Sequence, residues 1–294
     1  MSQLKDSLFI VTGAASGIGR ATAVQAGAAG ALVLASDVNA AGLAETRALV
    51  QAVGGQVETA PLDVADADQI VAYAAQVGRA HPGRRIILFN NAGVALGAGP
   101  FEAARHTLAD FEWLLSINLW GVIRLSKAFL PLMRAAGGGH LVNVSSVFGL
   151  FGMPESVAYS TAKFGVRGFS DALRNELAGS GIEVSTVFPG GVKTNISAGA
   201  RVVGATYTAE QHAQASRRFE RSARTTPEAA ARLILRGIER NRARILVGPD
   251  AHAIDWLTRL LPGRAMRLLL PVLRRTFRPS GPAPTPRAAA SPTR

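Results

Sequence analysis

The fold is decided by residues 8–19, which read LFIVTGAASGIG. The apolar start predicts a buried strand, and the glycines after it predict a tight turn into a helix. Such a helix start offers unpaired N–H groups and the positive end of a dipole to a phosphate, and glycine lets the backbone come close to it. The stretch therefore predicts a dinucleotide-binding turn. The residues expected to contact the cofactor there are Gly13, Ser16, Gly17, Ile18 and Gly19.

Working outward, short apolar runs alternate with longer Ala-rich segments of helical period, a pattern typical of repeated βα units. The predicted strands are Leu8–Thr12, Ala31–Asp37, Gln56–Pro61, Ile86–Asn90, His140–Ser145, Ile182–Phe188 and Ile245–Val247. The predicted helices are Ile18–Ala29, Ala41–Val53, Ala65–Arg79, Leu108–Ala136, Val157–Ser180 and Pro227–Asn241. We therefore expect an α/β fold with a single Rossmann-like domain over residues 1–250. Its doubly wound parallel sheet would have about seven strands, with helices on both faces.

The rest of the chain has a different character. Residues 195–226 show no clear strand and a helix-like patch near 209–221, which suggests a mobile lid. Residues 251–278 mix leucine with arginine and predict two short basic amphipathic helices from Asp255 to Arg278, broken at Pro262 and Pro271. Residues 279–294 are Pro, Ala, Ser and Thr with a few Arg, which predicts a disordered tail.

Charge and composition exclude several functions. The net charge is +12, but eight arginines and no acidic residue follow Asp255, so the body of the chain is only mildly basic. No nucleic-acid partner is expected, since no binding module accompanies the basic end. There is no Cys, and the five His residues are scattered, so no metal site is expected. Without a charged-then-apolar leader in residues 1–10, a cytoplasmic location is expected.

Acidic residues at strand ends indicate which cofactor is bound. Asp37 ends the second predicted strand, where its carboxylate suits the ribose hydroxyls of an adenosine and would repel an added 2′-phosphate. This favours NAD over NADP, while a strand-end or helix-capping Asp is the structural alternative. Asp63 and Val64 follow the third strand and are candidates for the adenine, although a helix cap at Asp63 would look the same.

Further candidates follow the other strands, because ligands bind at the carboxyl edge of a parallel sheet. Ser146 follows the fifth predicted strand. Tyr159 and Lys163 lie four residues apart, on one face of the next helix, where a cation near a phenol favours the phenolate. Alone, this spacing is more typical of a surface pair.

The motifs together resemble the short-chain dehydrogenase/reductase family over roughly residues 5–250. They are Thr12-Gly-x-x-x-Gly-x-Gly, Asn90-Asn-Ala-Gly, Ser146, Tyr159-x-x-x-Lys163 and Pro189-Gly, in that order. The resemblance implies that Tyr159 is the general acid/base, that Ser146 orients the reacting oxygen, and that Lys163 lowers the pKa of Tyr159 and holds the nicotinamide ribose. It also implies that Asn118 kinks its helix and holds a water of a proton relay. Further cofactor contacts that it implies are Asn91, Ala92, Gly93, Pro189, Gly190, Val192 and Thr194.

The implied function is an NAD-dependent oxidoreductase that interconverts a secondary alcohol and a ketone; a cofactor-binding sensor without turnover is the alternative. The apolar residues near the site suggest a bulky hydrophobic substrate, although they would equally serve to pack the core. They are Leu96, Phe148, Phe151 and Met153. The family also implies a homodimer or homotetramer formed through the two longest helices. The basic extension would either contact a membrane weakly or dock over the substrate entrance or a partner subunit.

Overall fold

The computed structural model describes residues 2–97, 101, 107–194, 196, 199–202, 217, 220–269 and 271. The strands are β1 (Leu8–Thr12), β2 (Leu32–Asp37), β3 (Gln56–Pro61), β4 (Ile86–Asn90), β5 (Leu96–Gly97), β6 (Gly139–Val144), β7 (Ile182–Pro189), β8 (Arg201–Val202) and β9 (Arg244–Val247). The helices are α1 (Gly17–Ala28), α2 (Ala40–Ala52), α3 (Ala67–Ala80), α4 (Leu108–Leu115), α5 (Gly121–Ala135), α6 (Val157–Glu176), α7 (Pro227–Glu239) and α8 (Pro249–Leu260). The predicted strand and helix bounds mostly differ from these by one or two residues.

Seven strands form one parallel sheet in the order β3-β2-β1-β4-β6-β7-β9. One apolar cluster joins one face of the sheet to α1, α2 and α7, and a second joins the other face to α3, α5 and α6. The predicted doubly wound Rossmann-like fold is therefore confirmed. The strand order reverses between β1 and β4, which opens a crevice at their carboxyl ends.

The long helix predicted over Leu108–Ala136 is interrupted in the structure. A π-helical turn, Ser116–Trp120, separates α4 from α5 and carries the buried Asn118 at its centre. Because π-turns are costly and concentrate at functional sites, this interruption marks the segment around Asn118.

The expectation of no strand in residues 195–226 was wrong. Arg201–Val202 forms β8, which pairs in parallel with β5. The guanidinium of Arg201 lies 4.9 Å from the ring centroid of Trp113 and 3.4 Å from Asp110. These partners come from distant parts of the chain, so the local pattern gave no sign of the strand. Most of the suggested lid, including nearly all of the helix-like patch, lies outside the described residues.

The C-terminal extension begins earlier than expected. Its first helix, α8, starts at Pro249 instead of Asp255, because Gly248 with φ +99° turns the chain directly out of β9. It ends at Leu260, just before Pro262, as predicted, and residues 265–269 are again helical. The rest of the second predicted helix, except position 271, and the tail 279–294 lie outside the described residues.

The amino end of the sheet is closed by a fully paired histidine. His140 is buried, with Nδ1 at 2.9 Å from the Ser2 hydroxyl and Nε2 at 2.8 Å from the Ser185 hydroxyl. Ser2 is bonded in turn to the side chain of Asn241, with Oγ and Oδ1 2.8 Å apart. Burial lowers the pKa of His140 to about 3, so the imidazole is neutral and ties the start of the chain to β6 and β7.

Candidate active site

The turn after β1 has the backbone that the glycines predicted. Gly13 and Gly17 have φ of +67° and +53°, a region that other residues rarely adopt. A Cβ at Gly19 would lie 2.1 Å from the Gly13 carbonyl oxygen, so no larger residue fits there. A Cβ at Gly17 would lie 3.1 Å from Thr194, so the turn faces the loop after β7. With Ser16 at the N-cap and Ile18 in the first turn of α1, this backbone can cradle a phosphate group.

Asp37 is fixed against the glycine turn. Its Oδ2 accepts from the Ala15 amide at 3.0 Å and its Oδ1 from the Asn39 amide at 2.9 Å. The alternative of a helix cap does not apply, because Asn39 caps α2 through the Gly42 amide. A carboxylate has about four acceptor positions, so Asp37 keeps capacity for hydroxyl donors in the crevice.

A cation that the sequence reasoning missed lies beside this turn. Arg20 donates to the carbonyl of Ala15 and lies 2.7 Å from the Glu45 carboxylate. The ion pair offsets the charge of Arg20. The position of Arg20 directly after Gly19 in the sequence could have indicated that it lies beside the glycine turn.

Asp63 and Val64 have different surroundings. Asp63 is exposed and accepts from the Ala65 amide at 2.8 Å, while Asp66 caps α3, so the helix-cap alternative for Asp63 does not hold. Val64 is buried against the start of α5, where a Cβ at Gly121 would lie 3.0 Å from its side chain. Of these two residues, only Asp63 presents a polar side chain to solvent.

The Asn-Asn-Ala-Gly segment after β4 closes the floor of the crevice. Asn91 Nδ2 donates to the carbonyls of Thr12 and Gly13, and the Ala92 amide donates to the Thr12 hydroxyl. A Cβ at Gly93 would lie 3.6 Å from Lys163 Nζ. These residues hold the end of β4 against the glycine turn.

Asn118 fastens the next part of this segment. Its Oδ1 accepts from the Val94 amide and its Nδ2 donates to the Val94 carbonyl, both at 2.8 Å. The side-chain amide is thereby engaged with backbone, so a water of a proton relay would need another group, such as a backbone carbonyl of the π-helical turn, to bind it. The π-helical turn lies where the resemblance implied a kink, and the relay water stays a prediction.

The three predicted chemical groups meet beside that floor. Ser146 ends the turn after β6 and hydrogen-bonds the Tyr159 hydroxyl. Lys163 Nζ lies 5.6 Å from the Tyr159 ring centroid and donates to the Val144 carbonyl at 3.0 Å. Gly149 permits this arrangement, because a Cβ there would lie 2.7 Å from the Lys163 carbonyl oxygen. The geometry excludes the surface-pair alternative, since the side chain of Lys163 is buried.

Burial dominates the titration of this pair. It raises the pKa of Tyr159 to about 12, with the Ser146 hydrogen bond acting in the opposite direction. Burial also lowers the pKa of Lys163 to about 8. The expected lowering of the Tyr159 pKa by Lys163 is therefore not seen in this structure, because removing the phenol from water raises its pKa more than the Ser146 hydrogen bond lowers it. At neutral pH the site holds a neutral phenol and an ammonium.

The loop after β7 completes the crevice from the other side. Pro189 ends the strand, Gly190 donates to the Val247 carbonyl at 2.9 Å, and the buried Val192 bridges to Thr225. This bridge places Thr225 beside the loop that follows β7. Thr194 contacts the glycine turn, as noted above.

Sequence reasoning also missed Asp250, which supports this loop. Its Oδ2 accepts from the Gly191 amide at 2.6 Å, and a Cβ at Gly190 would lie 2.3 Å from its carboxylate. The paired glycines after Pro189 were the available signal, because adjacent glycines often mark a close approach by another group. Asp250 thus joins the extension to the predicted cofactor loop.

A buried polar ladder positions α6. Asn90 Nδ2 donates to Asn143 Oδ1 at 2.8 Å, and Asn143 Nδ2 donates to the Ser170 hydroxyl at 3.0 Å. Asn90 also donates to Ser126 on α5 at 3.3 Å. The ladder crosses β4 and β6 and ties both helices to the sheet, which orients the helix that bears Tyr159 and Lys163.

The predicted substrate residues divide into two groups. Phe148 lies edge-on to Tyr159, with ring centroids 6.0 Å apart, and Leu96 belongs to the apolar cluster that includes Tyr159. Phe151 and Met153 are buried in a cluster with α8 and residues 265–269. Phe148 and Leu96 therefore border the site, whereas Phe151 and Met153 mainly join its loop to the extension.

Two features are absent from the described residues. No group of three or more His, Asp or Glu side chains is placed to hold a metal ion there. In the same part of the chain, no helix combines the length and apolarity needed to cross a bilayer.

Comparison with known proteins gives consistent results. Residues 7–213 match the short chain dehydrogenase family. A Mycobacterium tuberculosis protein that bears the name oxidoreductase SadH is 40% identical over 271 residues, which cover 92% of this chain and 96% of that protein. A short chain dehydrogenase/reductase from Burkholderia phymatum, solved in complex with NAD, has a TM-score of 0.79 at 27% identity and covers 96% of this chain and 99% of its own. A metagenomic short-chain oxidoreductase solved with NADP has a TM-score of 0.67 at 29% identity, covering 84% of this chain and 98% of its own.

Proposed function

The chain belongs to the short-chain dehydrogenase/reductase family, and from this premise we propose that it is an NAD-dependent oxidoreductase that interconverts a secondary alcohol and a ketone. One observation carries the proposal. The Tyr159 hydroxyl is bonded to Ser146, and the buried ammonium of Lys163 lies 5.6 Å from the centroid of the Tyr159 ring, at the carboxyl edge of the sheet. This arrangement supplies a proton donor, an orienting hydroxyl and a fixed cation in one place.

Tyr159 moves the proton in this mechanism. With its pKa raised to about 12, the phenol is protonated at neutral pH and is ready to donate to a ketone oxygen. Ser146 holds the same oxygen through its hydroxyl, so the two groups fix its position. In the oxidation direction Tyr159 must first lose its proton, and we therefore expect oxidation to be favoured at alkaline pH.

The residues of the crevice fit a dinucleotide. The turn 13–19 has the open backbone that a pyrophosphate needs, and Gly17 approaches Thr194 from across the crevice. When bound, the nicotinamide accepts or supplies the hydride. Lys163 would hold the nicotinamide ribose, while Asn91, Ala92, Gly93, Pro189, Gly190 and Val192 shape the floor and the facing loop. Asp63 and Val64 would border the adenine. The NAD complex of the Burkholderia phymatum relative supports this assignment.

We propose NAD in preference to NADP because of Asp37. Its carboxylate is held at the end of β2, and the nearby Arg20 is paired with Glu45. We expect Asp37→Ser to lower kcat/KM with NAD by about tenfold and to raise it with NADP, since a charge-assisted bond to ribose is lost and a repulsion removed. Steady-state kinetics with both cofactors would check this. Glu45→Gln is the informative control: it frees the charge of Arg20 while leaving Asp37 in place, and should improve NADP use alone.

The substrate is proposed to be bulky and apolar. Phe148 and Leu96 border Tyr159, and the buried Phe151 and Met153 support Phe148 from behind. Such a wall offers apolar contact and no charge to a ligand. A lipid, steroid or aryl ketone matches this chemistry.

We also propose a homodimer or homotetramer. Trp120, Val157 and Phe164 are exposed apolar side chains on the π-helical turn and α6, where the family association predicted through the longest helices would bury them. Light scattering of the full chain measures the assembly.

The decisive experiment is an absorbance assay for reduced nicotinamide across a panel of apolar secondary alcohols and ketones. The wild-type protein should turn over at least one of them. Tyr159→Phe should reduce kcat by about 10²–10⁴-fold while NAD affinity is retained, because only the proton donor is removed. Near-normal turnover in this variant would contradict the role of Tyr159. Confirmed NAD binding without activity on any compound would favour a sensor.

A further inference from the structure

The C-terminal extension, residues 249–269, has a buried side that packs against the protein. Ala251 and Ile254 on α8, with Met266 and Leu269, join the cluster of Phe148, Phe151 and Met153. Asp255 is buried and bonded to Arg244 and Arg259, which pins α8 to β9. This side of the extension therefore packs against the body of the protein, while docking over the substrate entrance or a partner subunit stays a prediction.

The extension also carries exposed apolar side chains. Trp256 and Leu260 lie one helical turn apart and are 66% and 67% exposed. Leu268 is 56% exposed, and Leu261 is 36% exposed. A tryptophan and three leucines in thirteen residues are more than the scattered apolar residues normal for a surface. We call these four side chains the exposed apolar side.

Basic residues frame the exposed apolar side. Arg259, Arg264 and Arg267 are exposed between its members. The acidic residue nearest to them in the sequence, Asp255, already pairs with Arg244 and Arg259. Eight arginines and no acidic residue follow Asp255 in the sequence. A partner for this surface must therefore supply both apolar contact and negative charge.

We propose that this surface binds an anionic lipid membrane, with Trp256, Leu260 and Leu268 entering the headgroup boundary and the arginines contacting lipid phosphates. Tryptophan favours that boundary, and each basic residue near an anionic leaflet strengthens binding about fivefold. A second copy of the chain fits less well, because a symmetric contact would place these arginines against their own counterparts. Nucleic acid would supply the negative charge but no apolar phase for the tryptophan and leucine side chains.

The location gives the membrane contact a consequence. The buried side of the same extension supports Phe148, whose ring lies 6.0 Å from that of Tyr159. A bound membrane would thus lie next to the wall of the active site. An apolar substrate dissolved in the lipid could then enter the active site from the membrane. This link to the substrate rests on the proposed function, whereas the binding itself does not.

The test is co-sedimentation of the full-length protein with vesicles. We expect binding to vesicles that contain phosphatidylglycerol, weak binding to pure phosphatidylcholine, and loss of binding at high salt. Replacing Arg259, Arg264 and Arg267 with Gln should weaken the partition coefficient about a hundredfold. Trp256→Ser with Leu260→Ser should weaken it at least about tenfold, because the apolar contribution is lost.

Matched controls use exposed residues elsewhere. Arg232 and Arg236 of α7, with Arg240 directly after it, changed to Gln remove the same charge, and Val71→Ser with Leu233→Ser removes exposed apolar area. These variants should bind at least about ten times better than the matched extension variants. Circular dichroism checks that every variant is folded.

Three results would overturn the proposal. One is binding that is equally strong in extension and control variants. Another is binding that responds to the arginines alone, which indicates an acidic macromolecule as the partner. The third is a smaller assembly in light scattering of Trp256→Ser with Leu260→Ser, together with no vesicle binding, which indicates a second copy. None of these readouts requires catalysis, so failure here leaves the proposed activity untouched.

Discussion

The two ends of the parallel sheet each bury a titratable nitrogen, with opposite results. At the amino end, both ring nitrogens of His140 have a hydroxyl partner. At the carboxyl end, Lys163 donates to the Val144 carbonyl and otherwise borders the crevice beside Tyr159 and Gly93. Burial lowers both pKa values, to about 3 for His140 and about 8 for Lys163. Burial therefore moves the pKa of His140 away from physiological pH and brings the pKa of Lys163 close to it.

Burial has a different consequence at each end of the sheet. A shift of one pKa unit corresponds to about 1.4 kcal/mol between the two protonation states. At the amino end, the neutral imidazole is the favoured form and its hydrogen bonds stabilise the fold. At the carboxyl end, the ammonium is held at a cost of about 3 kcal/mol, which is expected where a site is organised for chemistry instead of stability.

The largest expected effect comes from removing the buried ammonium. Lys163→Met should lower kcat/KM about 10²–10⁴-fold, because the cation that orders Tyr159 and the proposed ribose contact is lost. Its unfolding free energy at neutral pH should stay equal or rise, since a desolvated charge is replaced by an apolar chain of similar length. Steady-state kinetics and urea unfolding measure the two quantities.

The pH dependence of stability identifies the group responsible. The folded pKa of Lys163 lies below its ordinary value of 10.5, so the unfolded chain alone is protonated between about 8 and 10.5. Stability should therefore rise with pH across this window in the wild type, and that rise should be smaller in Lys163→Met. A variant that is less stable at neutral pH and has an unchanged alkaline profile would contradict the assignment.

The second effect tests the amino end. The folded pKa of His140 lies below its ordinary value of 6.5, so the unfolded chain takes up a proton first as the pH falls from 6.5 to about 3. Wild-type stability should decrease in that window. Between about pH 7 and about pH 4, His140→Gln should lose about 3 kcal/mol less unfolding free energy than the wild type, with kcat unchanged.

Urea unfolding at the two pH values provides the measurement, and His252 provides the control. His252 is exposed on α8, so His252→Gln should keep the wild-type acid sensitivity. If His140→Gln reduced kcat as strongly as Lys163→Met, the division of roles between the two ends would be wrong.

The parts of the site that could be predicted from the sequence are those set by neighbouring residues. The glycine turn, Asp37 at a strand end and the pair of Tyr159 and Lys163 on one helix all follow from spacing. The seven strands follow in the same way, because a buried strand and a βα turn have local signatures.

The missed features depend on contacts between distant segments. Strand β8 forms by pairing with β5, and the charge of Arg20 is offset by its ion pair with Glu45. The direction of the Tyr159 pKa shift depends on how much of the phenol is removed from water, which no spacing reveals. The carboxyl edge collects such contacts because several loops meet there.

The smallest expected effect distinguishes two carboxylates on one helix. Helix α8 runs from the carboxyl edge of the sheet toward the amino end of β9. Asp250, at its start, accepts from the Gly191 amide, and Asp255, farther along, pairs with Arg244 at the first position of β9. Asp250 acts as a positioning residue for the predicted cofactor loop. Asp250→Ala should raise KM for NAD about fivefold and leave kcat within about twofold, because an exposed hydrogen bond to a carboxylate contributes about 1 kcal/mol.

Asp250→Asn should restore most of the affinity, since its amide oxygen can still accept from Gly191. Asp255→Asn should instead lower the unfolding free energy and leave KM for NAD unchanged, because its partners lie away from the loop. Initial-rate kinetics against NAD concentration, with urea unfolding of each variant, separates the two carboxylates. An equal rise in KM for the Asp250→Ala and Asp255→Asn variants would show that the extension acts on the site only through its overall attachment, and not through the bond to Gly191.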